Sequence, residues 1–218
     1  MNGVVIIGAG GHARVLVEAL RARGQHVLGY VSDDAVPASG NMRDLPRLGD
    51  DRTLLSEKTG DLVLVNGVGM VGQCERRFDV FRKFRERGYV FETVIHPRAI
   101  VASDATIAEG VQIMAGAVIQ AGVRIGIGTI VNSAASVDHD CNVGQYCHVA
   151  PRACLAGDVT VGDHTHVGIG ATVIQNVRIG ERVIVAAGAV VIANIPDNAL
   201  AKGVPAEIVP HGTQPRTG

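Results

Sequence analysis

His139 lies between two acidic residues, in the segment Asp138-His139-Asp140, and a histidine in this position can accept a proton from a substrate. A carboxylate beside a histidine fixes the imidazole tautomer and raises its basicity, which suits a general base acting near neutral pH. Aspartate is also a common turn residue, so only one of the two carboxylates needs to act on the histidine. We assign that role to Asp140. The alternative interpretation is a solvated turn histidine without a function.

An aliphatic residue recurs every six positions from Ile95 to Val191, seventeen times without a miss. The residue four positions later is mostly small or β-branched, as at Ala99 and Cys141. Neither an α-helix nor an ordinary strand has a period of six, whereas a solenoid with three short strands per coil does. Its core is too narrow for aromatic residues, and Tyr146 is the one aromatic residue after position 92. The pattern therefore predicts a parallel β-helix of about five coils.

Residues eighteen positions apart stack on successive coils of such a solenoid, about 4.8 Å from each other. Gly157 is eighteen residues after His139. A glycine beside the base leaves room for a thioester and an open backbone N–H, which can stabilise the oxyanion of an acyl transfer. Cys141 and Cys147 fall at the small inward position, so neither is placed to be a nucleophile.

The first 92 residues predict a small α/β domain, because short apolar segments alternate with helical ones and so indicate a parallel sheet. The second helix is expected to bury Phe78, Phe81 and Phe84. The predicted strands are Val4 to Ile7, His26 to Val31 and Asp61 to Val65, and the predicted helices are Arg14 to Arg23 and Gln73 to Arg87.

A glycine-rich turn connects the first strand to the first helix. Gly8, Gly10 and Ala13 satisfy the pattern G-x-G-x-x-G/A, which is typical of dinucleotide sites. A domain of about ninety residues with three strand–helix units is half of such a fold, so we predict one nucleotide. The turn offers backbone N–H groups to a phosphate. The alternative is that the glycines only let the strand and helix pack closely.

The combination of a Gly-Gly-His domain, an uninterrupted hexapeptide repeat and the segment Asp138-His139-Asp140-Cys141 closely resembles one group of enzymes. These are the hexapeptide-superfamily N-acetyltransferases that act on nucleotide-linked 4-amino-4,6-dideoxy sugars, such as those of the UDP-bacillosamine and GDP-perosamine pathways. The resemblance covers essentially the whole chain. It implies a nucleotide-sugar-binding Rossmann-like α/β domain at 1–92, a left-handed parallel β-helix at 93–196 and a C-terminal tail at 197–218.

The resemblance also implies a reaction, in which acetyl passes directly from acetyl-CoA to the sugar amine. His139 is then the catalytic base and Asp140 orients it, although a longer acid is frequent in the family at that position. Family members are homotrimers, with acetyl-CoA lying in the cleft between neighbouring coils, so the resemblance implies a homotrimer here. Acetyl-CoA-binding residues are then His148 and Gly157, and the residues that bind the substrate are Gly10, Gly11, His12, Ser32, Asp33, Gly67 and Asn132.

Two other enzyme classes remain as alternatives. The same residues suit O-acetylation of a sialic-acid-like sugar, since sialic acid O-acetyltransferases have a similar organisation. His148 and His166 are eighteen residues apart, which raises the hypothesis of a metal-dependent β-helix hydratase. Zinc-binding β-helix carbonic anhydrases have a pair of histidines separated by four residues, whereas the later pair here is His164-x-His166. We therefore predict no metal, and a surface position for His166. The residue pattern does not distinguish a UDP-linked from a GDP-linked sugar as the substrate.

Composition limits the partners and the compartment. With 20 basic and 21 acidic residues the formal net charge is −1, which argues against nucleic acid or an anionic membrane as a partner. No stretch of 18 apolar residues predicts a membrane span, and the N-terminus lacks the basic region of a signal peptide. We expect a cytoplasmic bacterial enzyme of lipopolysaccharide or other glycan biosynthesis.

Overall fold

The computed structural model describes residues 3–33, 40–56, 62–70 and 75–210. Two predicted element ends, Asp61 and Gln73, lie outside the described residues. The chain divides into two compact units, and the smaller one consists of the described residues up to Pro97 together with Glu109–Val111. The larger unit consists of Arg98–Ala108 and the described residues from 112 onward. The domain boundaries at 92 and 196 stay predictions.

The smaller unit contains a parallel sheet, as predicted, with five strands where three were predicted. Val4–Ile7 (β1) lies at its centre, with Val27–Val31 (β2) and then Arg47–Gly49 (β3) on one side, and Val63–Asn66 (β4) and then Val90–Phe91 (β5) on the other. All four residues of β1 are buried, because a central parallel strand is covered on both faces. The elements are Val4–Ile7 (β1), Gly11–Ala22 (α1), Val27–Val31 (β2), Arg47–Gly49 (β3), Asp51–Ser56 (α2), Val63–Asn66 (β4), Glu75–Arg85 (α3) and Val90–Phe91 (β5), with a short 3₁₀ helix at Gly40–Met42.

The first helix begins earlier than the apolar pattern predicted. Gly10 is the N-cap and Gly11 the first helical residue, whereas the periodic residues begin after Arg14. The sequence also gave no signal for the two outer strands. β3 exposes Arg47 and Leu48, and β5 has two residues, so neither shows a clear alternation.

The buried face of α3 differs from the prediction. Phe81 and Phe84 are fully buried, as expected, but Phe78 is only half-buried and Arg82 lies 5.4 Å from its ring centroid. Arg77 is buried in its place, with 1% of its surface exposed. The packing of the helix against the sheet has therefore selected a face that includes a charged residue.

The larger unit is a left-handed parallel β-helix, as predicted. Two-residue strands recur every six residues, and each pairs in parallel with the strand eighteen residues away, as Ser136 does with Val118 and Cys154. The strands form three sheets, one for each side of the coil. The first strand of this series, Val94–Ile95 (β6), belongs to the residues of the smaller unit. Those of the larger unit are Ile100–Val101 (β7), Thr106–Ile107 (β8), Gln112–Ile113 (β9), Val118–Ile119 (β10), Arg124–Ile125 (β11), Ile130–Val131 (β12), Ser136–Val137 (β13), Asn142–Val143 (β14), His148–Val149 (β15), Cys154–Leu155 (β16), Thr160–Val161 (β17), His166–Val167 (β18), Thr172–Val173 (β19), Arg178–Ile179 (β20), Ile184–Val185 (β21) and Val190–Val191 (β22).

The small position of the repeat faces the core, and two threonines occupy it without a loss of hydrogen bonds. The Thr129 hydroxyl donates to the carbonyl oxygen of Gly144 at 2.8 Å and accepts the N–H of Cys147 at 2.9 Å. Thr165 makes the same pair of bonds two coils later. Because the polar atoms are paired, they can be buried at low cost.

The coils end in a short hairpin. Ala199–Lys202 (β23) pairs in parallel with β21, and Glu207–Pro210 (β24) pairs antiparallel with β23. Among the described residues, no helix is both long enough and apolar enough to span a membrane.

Candidate active site

The turn after β13 positions His139 and its two acidic neighbours. Asp138 caps the turn, since its Oδ1 accepts the backbone N–H of His139 at 2.7 Å. Asp140 has a left-handed backbone, with φ of 61°, and its Oδ2 lies 2.9 Å from His139 Nδ1. A carboxylate only accepts hydrogen bonds, so Nδ1 carries the hydrogen and Nε2 of the neutral imidazole has the free lone pair. Asp140 thus directs Nε2 outward as the basic atom.

Charge around His139 favours protonation. The hydrogen bond to Asp140 raises the pKa of His139 above its usual 6.5; desolvation opposes it, and the charges of Asp138, Asp140 and Asp158 raise the pKa further. The imidazole is 61% exposed, so a substrate can reach it. This combination is typical of a general base whose pKa lies close to the working pH.

Gly157 lies against the same imidazole from the next coil. A β-carbon on Gly157 would be 2.5 Å from His139 Nε2 and 2.6 Å from Cε1, so no larger residue fits without moving the ring. The N–H of His139 is taken by the Asp138 side chain, but the corresponding residue before Gly157 is Ala156, whose side chain has no hydrogen-bond acceptor. No group among the described residues accepts the Gly157 N–H. It is available as an oxyanion donor beside the base.

Asn132 and His148 form a second polar pair in the β-helix. Asn132 Oδ1 accepts the N–H of Ser133 at 2.8 Å, and this fixes the amide so that Nδ2 points at His148 Nε2, 3.0 Å away. Since Nδ2 can only donate, Nε2 accepts and the imidazole hydrogen is on Nδ1. Asn132 was predicted to bind substrate and His148 to bind acetyl-CoA. The structure brings these two residues together, and both assignments stay predictions.

His166 differs from the predicted surface side chain. Its ring packs edge-to-face on the buried His148, with centroids 5.0 Å apart. It is half-buried, its Nδ1 has no hydrogen-bond partner among the residues that the structure describes, and desolvation lowers its pKa. The reason is its place in the column above His148, where the neighbouring coils cover the ring. Sequence spacing predicted the stacking but not the degree of burial.

The cysteines of the β-helix core are unreactive in this arrangement. Burial raises the pKa of Cys141 to about 11 and that of Cys147 to about 12. Their thiols point at the carbonyl oxygens of Ala156 and Gly162, each 3.1 Å away. A thiol with such a pKa is almost wholly protonated near neutral pH, so neither cysteine is a nucleophile. In the part of the chain that the structure describes, no three His, Cys, Asp or Glu residues cluster as metal ligands.

In the smaller unit, a cavity of about 410 Å³ opens at the carboxyl ends of the parallel strands. Gly8 follows β1, and Ser32 and Asp33 follow β2; all three line the cavity. Ser32 is 6% exposed and Asp33 is exposed. Ligands of open α/β sheets bind at this edge, where the strand order reverses. The sheet therefore brings together the two predicted binding residues that follow β2.

The other predicted binding residues are at the glycine turn. Gly10 and Gly11 are exposed at the start of α1, with His12 next to them, and neither a side-chain cap nor an acidic residue occupies this end. The helix therefore begins without a side-chain cap, and the N–H of Gly11 can bind an anion there. Gly67 is different, because it is buried and donates its N–H to Ile7 at 2.8 Å. A β-carbon there would be 2.7 Å from the Ile7 oxygen, so close packing requires the glycine.

Comparison with known proteins gives matches in both units. Residues 3–84 match the family model of the PglD N-terminal domain, and residues 158–193 match that of the bacterial transferase hexapeptide (six repeats). PerB from Caulobacter crescentus, solved in complex with CoA and GDP-perosamine, is 43% identical, with a TM-score of 0.87 over 96% of this chain and 98% of that one. The chain belongs to the nucleotide-sugar N-acetyltransferases of the hexapeptide superfamily.

Two further solved structures are also similar to this chain. The acetyltransferase domain of PglB from Neisseria gonorrhoeae, solved with acetyl coenzyme A, is 33% identical, with a TM-score of 0.88 over 95% of this chain and 99% of that one. WeeI from Acinetobacter baumannii is 20% identical with a TM-score of 0.76, and this likeness concerns the fold alone. The family predicted from the sequence is thereby confirmed.

Proposed function

We propose that this chain transfers the acetyl group of acetyl-CoA to the amino group of a nucleotide-linked 4-amino-4,6-dideoxy sugar. The observation that carries the proposal is the position of Gly157 against the outward Nε2 of His139, whose Nδ1 is held by Asp140. A base and an oxyanion donor adjoin there, as direct acyl transfer requires. The relatives solved with CoA and GDP-perosamine, or with acetyl-CoA, support the two substrates.

In this mechanism His139 Nε2 accepts a proton from the sugar amine as the amine nitrogen forms its bond to the thioester carbon. The carbonyl oxygen gains negative charge, and the Gly157 N–H donates to it. The carbon–sulfur bond then breaks, CoA leaves as its thiolate, and the proton on His139 can pass to that sulfur. No covalent acetyl-enzyme forms, in agreement with the raised pKa of the Cys141 and Cys147 thiols.

Substrate recognition is divided between the units in this proposal. The nucleotide sugar is bound mainly by residues 1–92, acetyl transfer takes place in residues 93–196, and residues 197–218 form the tail. The cavity after β1 and β2 and the uncapped start of α1 support this division, since one can hold the base and the other the phosphates. The residues assigned to the nucleotide sugar are Gly10, Gly11, His12, Ser32, Asp33, Gly67 and Asn132, and those assigned to acetyl-CoA are His148 and Gly157.

The proposal includes a setting. In this proposal the enzyme is a homotrimer that acts in the bacterial cytoplasm, in lipopolysaccharide or other glycan biosynthesis. The resemblance described above and the bacterial sources of the relatives support this. Light scattering should give the mass of three chains, and a stable, active monomer would contradict the trimer.

An acceptor assay tests the activity. The purified chain is incubated with acetyl-CoA and either GDP- or UDP-linked 4-amino-4,6-dideoxy sugar, with a sialic acid as the O-acetylation arm. Released CoA thiol and the product mass are measured. We expect an acetylated product that resists mild base, as an amide does, with the GDP sugar preferred because of the 43% identity to PerB. If the only product is a base-labile ester on sialic acid, the proposed N-acetylation is wrong and the activity is O-acetylation.

Replacement of His139 by alanine tests the base. We expect kcat to fall roughly 10²–10⁴-fold, the usual contribution of a positioned base. The fold should persist because the side chain is mostly exposed. His26→Ala, which removes an exposed histidine from the other unit, is the control. Near-normal kcat of His139→Ala at saturating substrates would exclude the mechanism.

A further inference from the structure

Arg77 is a buried arginine with a specific task in the smaller unit. Its side chain, 1% exposed, donates from Nη1 to the carbonyl oxygens of Asn66 at 3.0 Å and Val68 at 2.7 Å. A guanidinium is costly to bury unless its hydrogens are paired, and it holds those partners firmly. Arg77 thereby ties α3 to the turn that follows β4, which comprises residues 67–70 and is called the β4 turn below.

Asn66 completes this connection from the other side. Its Nδ2 donates to the carbonyl oxygen of Arg77 at 3.0 Å, and its Oδ1 accepts the N–H of Val68 at 3.1 Å. Asn66 is also 1% exposed. Two buried polar side chains therefore determine the orientation of the peptide groups in the β4 turn.

Among the first three N–H groups of the β4 turn, that of Gly69 differs from the other two. The Gly67 N–H is used by Ile7 and the Val68 N–H by Asn66, whereas the Gly69 N–H has no acceptor among the described residues. The C=O of Val68 and the N–H of Gly69 belong to one trans peptide and point in opposite directions. Because Arg77 holds that C=O toward the interior, the Gly69 N–H is directed away from the interior.

Gly69 lies next to the start of α1. A β-carbon on Gly69 would be 3.3 Å from the β-carbon of His12, which is in the first turn of that helix. Gly67 in turn adjoins Gly8, where a β-carbon would be 3.5 Å from the Gly67 carbonyl carbon. The Gly69 amide of the β4 turn therefore adjoins the start of α1, which has no side-chain cap.

We propose that the Gly69 N–H binds the diphosphate of the nucleotide sugar, and that Arg77 and Asn66 are the positioning residues that direct it there. The proposal rests on the nucleotide-sugar function given above. A diphosphate has several acceptor oxygens, so it can accept a hydrogen bond from the Gly69 N–H as well as from the start of α1. Gly69 was not among the residues predicted from the sequence, which pointed to Gly67.

Amide resonances of the full chain labelled with ¹⁵N-glycine test this directly. The Gly69 resonance is assigned from its absence in Gly69→Ala. GDP is titrated, with UDP in parallel and guanosine and uridine as probes without phosphates. We expect the Gly69 resonance to shift with the diphosphate that binds and to stay in place with its nucleoside. Shifts of Gly10 and Gly11 without one of Gly69 would overturn the inference alone. If none of the three shifts with either diphosphate, the nucleotide function of the unit fails as well.

Arg77→Lys tests the positioning. It keeps the charge but cannot reproduce the guanidinium hydrogen bonds, so GDP affinity in calorimetry should fall about tenfold, the effect of one charge-assisted hydrogen bond. The KM for acetyl-CoA should not change. Arg82→Lys, on the exposed side of the same helix, is the matched control. Unchanged GDP affinity in folded Arg77→Lys would refute the positioning, and the wild-type titration decides the part of Gly69 even if this variant does not fold.

Discussion

Gly157 and His139 are in contact across two coils, with 2.5 Å between the place of a Gly157 β-carbon and His139 Nε2. The contact imposes two requirements: room for the imidazole beside residue 157, and a residue 157 N–H that no neighbouring side chain accepts. A side chain at 157 would displace the imidazole, and a hydrogen-bond acceptor at 156 could occupy the free N–H of Gly157. Two neighbouring small residues, Ala156 and Gly157, keep this place open.

Gly157→Ala should therefore lower activity strongly while the fold is kept. The backbone of Gly157 is not left-handed, so alanine brings no backbone strain. The exposed imidazole can rotate away from the methyl group, but the base then leaves its position, and we expect kcat to fall by roughly 10²-fold or more. Gln175→Ala, at the exposed position of the same column one coil further, is the control for steady-state kinetics and melting temperature. Wild-type kcat in Gly157→Ala would show that the contact has no catalytic importance.

The pH profile should depend on Asp140. Because the pKa of His139 is raised mainly by its hydrogen bond to Asp140, the neutral and active imidazole prevails only above that pKa, and the rate should rise with pH through it. Asp140→Asn removes most of the stabilisation of the imidazolium. The His139 pKa should then fall toward 6.5, and the acidic limb should move to lower pH while the plateau drops.

Histidine NMR titration and kcat/KM profiles of both proteins measure this shift. The substrate amine also titrates, but it does so equally in wild type and variant, so the difference isolates His139. An acidic limb that stays in place or moves to higher pH in Asp140→Asn would contradict the assignment of Asp140 as the orienting acid.

Asn132→Asp should reverse the polarity of its bond to His148. The Ser133 N–H would still hold Oδ1, but the second oxygen could only accept, so His148 Nε2 would have to carry a hydrogen. The imidazolium form of His148 should then be favoured, and the KM for acetyl-CoA should rise several-fold. Nitrogen chemical shifts of the imidazole report the tautomer. Asn142→Asp, at an exposed strand position, is the control; an unchanged His148 tautomer in Asn132→Asp would show that Asn132 does not determine it.

Asp33→Asn should affect one substrate only. Asp33 lines the cavity of the smaller unit, so the KM for the nucleotide sugar should rise about tenfold, equivalent to one hydrogen bond to a charged group. The KM for acetyl-CoA should be unaffected. Asp44→Asn removes another exposed carboxylate of that unit, the one paired with Arg21, and serves as the control. Equal increases of both KM values in Asp33→Asn would contradict a nucleotide-specific part for this residue.

The β-helix was predictable because aliphatic residues recur in the sequence with the same period as the strands. Each aliphatic residue of the series from Ile95 to Val191 closes a two-residue strand, so the sequence spacing and the strand spacing agree throughout. The contact of His139 with Gly157 followed from the same spacing, since eighteen residues make one coil. Handedness did not follow from the period and came from the resemblance to a family.

The smaller unit was less predictable because its details depend on three-dimensional packing. The aromatic residues of α3 suggested that Phe78 would be buried, but the contact with the sheet buries Arg77. An arginine on an otherwise apolar helix face was the available signal. Likewise, glycine type alone could not distinguish Gly67, whose amide is used by Ile7, from Gly69, whose amide is open.

The uninterrupted register of the coils has a consequence for changes in chain length. Every strand from β6 to β22 pairs with partners eighteen residues before or after it, so a deletion of one residue inside the series would turn core positions outward in all coils beyond it. A deletion or duplication of one whole coil would restore the alignment of the three sheets. Gene duplication and slippage can therefore lengthen or shorten this half of the protein in steps of eighteen codons, whereas smaller in-frame changes must bulge out at a turn.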